Sequence, residues 1–175
     1  MSRLIRHQDG AFAEIDDRFT LVADDEPVPE GDVIISLARF QAEGENLVSN
    51  SRQVGVRLEP DQAVEDLAYD LPTIPVIALS FAKFRDGRPY SSARLLRERF
   101  GYAGEVRAVG DVLREQALFM LRCGFDSFVP ADGSSAGQWA AATQRYRHVY
   151  QRAADPREVA FEERTQAGAG VGHGL

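Results

Sequence analysis

Apolar residues along the chain gather into short runs separated by polar, glycine- or proline-bearing stretches. Val33–Leu37, Val54–Leu58, Val76–Ser80 and Val106–Val109 are each long enough for a strand and too short for a buried helix. Between them the spacing changes. Val64, Leu67, Ala68 and Leu71 follow Pro60-Asp61 at i, i+3, i+4 and i+7, which predicts a helix capped by Asp61. A short helix over Ala38–Glu43, stopped near Gly44, is expected before the second strand. Ala93, Leu96 and Phe100 form the stripe of a helix capped by Ser91 or Ser92, with Arg94 and Arg97 expected to face outward from it. Leu113, Ala117, Met120 and Leu121 form the stripe of another helix, with Asp111 as its N-cap and Gly124 at its C-terminal end. Phe125–Val129 then returns as a strand.

The flanks are less regular. Ala11–Ile15 and Arg18–Val22 predict a hairpin turned at Asp16-Asp17, followed by an acidic loop from Asp24 to Asp32. Asp132–Ser135 predicts a turn and cap before a helix over Gln138–Ala153, with Trp139, Ala142, Tyr146 and Val149 on one face. Gln166–Leu175 is glycine-rich and is expected to be disordered. The whole reads as an α/β chain of alternating β/α units with a mainly parallel sheet, because strands joined through helices need right-handed crossovers. An open sandwich and a partial β/α barrel both fit, preceded by the N-terminal hairpin. The expected layout is a hairpin and acidic loop over 1–32, the α/β domain over 33–130, a C-terminal helix over 131–155 and a disordered tail over 156–175.

The 175 residues, 44% hydrophobic and 27% charged, suit a globular chain with a sizeable core. No run approaches the roughly 18 apolar residues that span a bilayer, and the start MSRLIRHQDG has no apolar signal region, so a cytoplasmic protein without membrane contact is expected. One cysteine and three scattered histidines give neither a disulfide framework nor metal-ligand spacing. No glycine-rich nucleotide loop, zinc-protease or hydrolase motif is present, so no cofactor and no metal are expected. The net charge of −7 argues against nucleic acid as a partner. That charge is uneven, however. Residues 81–122 hold nine basic and five acidic side chains, a net +4 against −11 elsewhere. A basic island in an acidic protein suits an anionic ligand or an acidic partner surface.

The chemistry concentrates in the loop after the third strand, which runs from Phe81 to Ser92. Lys83, Arg88 and Arg94 supply charge, and Ser91 and Ser92 supply hydroxyls at a helix start, so these five are the candidate oxyanion ligands. The alternative is a surface turn on Asp86-Gly87 in which Arg88 pairs with Asp86. Lys83, Asp86 and Asp111 are the candidates for a catalytic role, Asp111 as a general base, although Asp111 also reads as a plain helix cap. Gln116 is expected to face solvent, and Cys123 to be a small buried apolar group.

The patterns F-x-K-F-x-D-G-R-x-Y-S-x-A-R-L-L-R-x-R from Phe81, G-E-x-R-A-V-G-D-V-L-R from Gly104 and R-C-G-F-D from Arg122 resemble a bacterial family of unknown function. Its members are described as oxidoreductases with a suggested role in sulfite reduction, encoded beside the sulfite reductase hemoprotein in sulfate assimilation. The resemblance implies an accessory protein of assimilatory sulfite reduction, with sulfite reductase as partner and a small oxyanion at the basic rim. It also leaves open an oxidoreductase using a recruited cofactor. A free-standing module for a phosphate ligand fits the barrel-like reading. No family catalytic residues carry over to this chain.

Overall fold

Val33, Ile34 and Ile35 follow one another in β4 (Asp32–Ser36), and all three are buried. Successive side chains of a strand point to opposite faces, so the sheet is covered on both sides here. The computed structural model describes residues 4–48, 52–145, 148–155 and 157–169. Its sheet has eight strands: β1 (Leu4–Gln8), β2 (Ala11–Ile15), β3 (Phe19–Leu21), β4, β5 (Val54–Leu58), β6 (Val76–Phe81), β7 (Glu105–Gly110) and β8 (Ser127–Phe128). Their spatial order is β2-β1-β8-β7-β6-β5-β4-β3. From β3 to β8 every strand is parallel to the next and lies beside it, while β1 runs antiparallel to β8.

Sequential order decides between the two architectures. An open sandwich with helices on both faces needs the strand order to reverse at some point. Here each crossover steps the same way, and right-handed crossovers then put the helices on one face. The edges confirm the consequence. A flat sheet would hold β2 and β3 about 34 Å apart, at roughly 4.8 Å per strand. The chain joins them through Asp16, Asp17 and Arg18 alone, a span of at most about 14 Å from Ile15 to Phe19. The sheet is therefore curled into a half-barrel.

The N-terminal hairpin exists, but it is made by other strands than expected. It joins β1 to β2 through Asp9 and Gly10, with φ of 52° and 79°. A two-residue turn of this kind needs both central residues in the left-handed region, and Asp-Gly supplies them. Asp16-Asp17 has no glycine and makes no turn. Instead β3 leaves for the far edge, and the Asp17 carboxylate accepts from the Phe19 N–H at 3.0 Å and from Arg107 at 2.7 Å.

The helices differ from expectation mainly at their ends. Helix α1 (Leu37–Val48) starts where the Ser36 hydroxyl accepts the Arg39 N–H, and it runs through Gly44. Gly44 is a packing site rather than a stop: a Cβ there would lie 2.8 Å from the Phe40 ring. The helix expected from Asp61 is only a 3-10 turn, Val64–Leu67, because Ala63 is extended. Its Val64 and Leu67, with Leu71 beyond, still enter the core. Helix α2 (Arg88–Arg94) starts at Gly87, not at Ser91 or Ser92, and continues as a π-helical turn over Leu95–Arg99. Proline at its start suits a first turn, where an N–H has no partner to lose. Asp111 caps no helix. A 3-10 turn, Arg114–Gln116, leads into α3 (Ala117–Cys123), which ends at Gly124 in the left-handed conformation, φ 99°.

Helix α4 (Ala136–Thr143) is capped by Ser135, with Gln138 closing the reciprocal bond, and stops well short of Ala153. Trp139 on it is fully buried, its ring 4.6 Å from Phe128, and its indole N–H donates to Ser134 at 2.9 Å. Tyr146, expected on the same stripe, lies outside the described residues. The tail expected to be disordered from 156 carries α5 (Ala160–Ala169), docked through a bridge between Val149 and Val159. Residues 170–175 lie outside the described residues. No helix among the described residues is long and apolar enough to cross a membrane.

Candidate functional site

Strand β6 ends at the buried Phe81, and the chain then leaves the core at the rim formed by the C-terminal ends of the parallel strands. In α/β folds this rim is where loops build sites. The loop runs from Ala82 to Gly87, and its backbone is tied down on both sides of Phe84. The Phe84 N–H donates to Asp111 Oδ2 at 2.8 Å. The Phe84 carbonyl accepts from Gln116 Nε2 at 3.1 Å. Gln116 in turn accepts the Leu113 N–H at 3.0 Å, and its side chain reaches the Tyr90 hydroxyl. Within the loop the Asp86 N–H closes a turn onto the Lys83 carbonyl.

The carboxylate of Asp86 is clasped by Arg88 through Nε at 3.0 Å and NH2 at 2.7 Å, and it accepts the Arg88 backbone N–H at 3.1 Å. That guanidinium holds the Asp86 carboxyl below its ordinary range. The Asp86-Gly87 turn with its Arg88 pair is thus the alternative the sequence offered. Three of the five candidate oxyanion ligands, Arg88, Ser92 and Arg94, are placed by other contacts. Arg94 pairs with Glu98 at 2.9 Å, and the Ser92 hydroxyl donates to the Arg88 carbonyl at 3.3 Å. Ser91 is exposed on α2. Lys83 and Arg85 are exposed, and their side chains make no hydrogen bond or ion pair among the described residues. Of the catalytic candidates, Asp111 serves as the acceptor that pins Phe84, and Asp86 as the partner of Arg88.

Sequence reasoning missed the centre of this arrangement. Gln116, read as solvent-facing, is 7% exposed and joins three elements. Phe84 is 42% exposed although its backbone is fixed, and Phe119 on α3 is 71% exposed. Between Phe119 and the core lies Tyr90. Its ring stands edge-on to Phe119 at 6.0 Å, to Phe81 at 5.3 Å and to Phe125 at 6.3 Å. Burial pushes the Tyr90 phenol up to about 12, against the opposing pull of Gln116. The signal available in the sequence was Phe84 between two cations in a loop, where an apolar ring has no core to enter.

Cavities also lie elsewhere. On the inner face of the curl, Glu105 accepts from Arg6 at 2.5 Å, from Arg107 at 2.9 Å and from Ser127 at 2.5 Å, beside a cavity of about 320 Å³ crossed by Asp16–Arg18. Its positive and negative side chains satisfy one another. A cleft of about 630 Å³ opens between the β1–β2 turn, α3 and the residues Ala154, Asp155 and Arg157, with His7, Leu121, Phe125 and Asp126 among its walls. Burial lowers the His7 imidazole pKa and raises that of the Asp126 carboxyl. Arg97, expected to face outward, is turned in beside this cleft. It donates to the Gly124 carbonyl at 3.0 Å, the Gly104 carbonyl at 2.8 Å and Asp126 Oδ2 at 2.5 Å.

Fold and rim together define an α/β half-barrel protein whose strand-end loop presents an aromatic side chain between cations. The chain belongs to the family described as "Bacterial protein of unknown function (DUF934)", whose model matches residues 55–161, 107 of the 175 residues. No protein of established annotation matches it.

Proposed function

We propose that this chain is a cytoplasmic accessory protein of assimilatory sulfite reduction that works with sulfite reductase through the strand-end rim. The observation that carries the reading is the pair Lys83 and Arg85, whose side chains are exposed and unpaired among the described residues, on a tied-down loop of a chain with net charge −7. Unpaired cations on an ordered loop attract an acidic surface without first breaking an internal ion pair. The resemblance of the Phe81–Asp126 motifs to a family encoded beside sulfite reductase supplies the partner. A small oxyanion such as sulfite would meet Lys83 first, because Arg88 and Arg94 are engaged by Asp86 and Glu98.

The test is a pull-down of the purified hemoprotein subunit by the full chain at two salt concentrations. Screening shortens from about 10 Å at 0.1 M to about 3 Å at 1 M, so retention should fall with salt. It should fall further when Lys83 and Arg85 are both reversed to Glu. Arg97 is unsuitable for such reversal, since its guanidinium holds three backbone carbonyls. Retention that ignores both salt and charge reversal would refute the proposal.

A further inference from the structure

The geometry points to Phe84 and Phe119 as the anchors of this rim, fitting an apolar socket edged by carboxylates on the partner; the inference rests on the function proposed above and specifies its interface. An apolar ring left in water costs free energy that burial against a partner recovers, and interfaces concentrate their binding energy in a few such rings. Ordering a loop on association normally consumes part of that gain. Here the loop is ordered beforehand, because Asp111 and Gln116 hold the two backbone groups of Phe84. Phe119 stands on a helix, its ring propped by Tyr90, which in turn rests on Phe81 and Phe125. The aromatic row therefore runs without a break from the core to the surface.

The charge pattern selects the occupant. Lys83 and Arg85 flank Phe84 in the chain, and neither side chain has a partner among the described residues, so the socket for Phe84 must be acidic at its edge. A second copy of this chain is disfavoured by the same pair. A two-fold interface brings each patch against itself, and would set these cations facing their own kind.

The interface is tested by titrating the sulfite reductase hemoprotein with the full chain in a surface-binding assay that resolves on- and off-rates. Phe84→Ala should weaken binding by about 30-fold, the scale of an interface hot spot, mainly through a faster off-rate. Phe119→Ala should act in the same direction. Lys83→Glu with Arg85→Glu should instead slow association and flatten its salt dependence. Tyr69→Ala removes a ring that is 98% exposed elsewhere on the surface and should change nothing. Because the rings are exposed, thermal melting should show all variants folded. If wild type binds and the two phenylalanine variants bind equally well, the anchors are wrong while the proposed function stands. If wild type does not bind at all, both fall. A dimer of the chain alone that Phe84→Ala dissociates would also overturn the choice of partner.

Discussion

Glu105 shows what a single side chain contributes here. Its carboxylate sits between Arg6, Arg107 and Ser127 on the inner face of the sheet, and Arg107 is only 3% exposed. Burial alone would raise its pKa, but the two guanidinium groups and the Ser127 hydroxyl outweigh burial and hold it below the ordinary 4.5. A depressed carboxyl contributes stability that is present above its unfolded value and lost as pH falls through the folded one. The chain should therefore lose stability to urea as pH drops below about 4.5. Glu105→Gln should flatten that loss and cost about 3 kcal/mol at pH 7, since two arginines lose their shared counter-charge. Asp126 works in the opposite sense: its carboxyl is raised by burial, so its contribution fades as pH rises, which makes the comparison of wild type with Glu105→Gln the informative one. Equal acid slopes in the two proteins would refute the role given to Glu105.

Among the elements, the junction after β7 sets the geometry of the rim. Gly110 has φ 92°, and a Cβ there would lie 2.5 Å from the Phe81 carbonyl oxygen. This close approach lets the Asp111 N–H bond that same oxygen at 2.8 Å and aims the Asp111 carboxylate at the Phe84 loop. Gly110→Ala combines a left-handed backbone with a backbone clash, so it should cost more than about 1 kcal/mol and displace the loop. Calorimetric melting checks the first part; an unchanged melting temperature would contradict it. Helix α4 offers a second measurement. Trp139 fills the space against Phe128 and Phe12, so Trp139→Ala should destabilise by about 3–5 kcal/mol. A loss under 1 kcal/mol would mean that α4 is not part of the core.

At the scale of the molecule, the curl depends on three residues that bridge the sheet edges. Asp17 holds this strap to the inner face by accepting from Arg107 and from the Phe19 N–H. Phe19 lies beneath the Arg107 guanidinium, 5.7 Å from it, in a second apolar cluster with Ile34, Val76 and Ala78. Asp17→Ala removes a charged hydrogen bond of roughly 1.5–3 kcal/mol and leaves Arg107 with Glu105 only. Hydrogen exchange should then quicken in β3 and the strap while β6 and β7 stay protected. Uniform quickening across the sheet would mean that the strap is not a separate unit.

The sequence by itself determined the parallel strands β4 to β7. Each is a short, largely apolar run, interrupted by Arg57 in β5 and by Glu105 and Arg107 in β7, and burial on both faces is written into composition one residue at a time. It also determined the end of α3, because Gly124 meets a purely local need for a left-handed residue. The hairpin was available too, in Asp9-Gly10, a local signal that the Asp16-Asp17 reading passed over. The tertiary structure alone decided the curl, because whether β3 pairs with β2 or crosses to the far edge depends on partners distant along the chain. It alone decided the roles of Asp111 and Gln116, whose partner Phe84 lies 27 and 32 residues away. It alone turned Arg97 inward and left the Lys83 and Arg85 side chains without a partner among the described residues. Sequence counts charges, but which of them find a partner depends on where the backbone carbonyls and carboxylates come to rest.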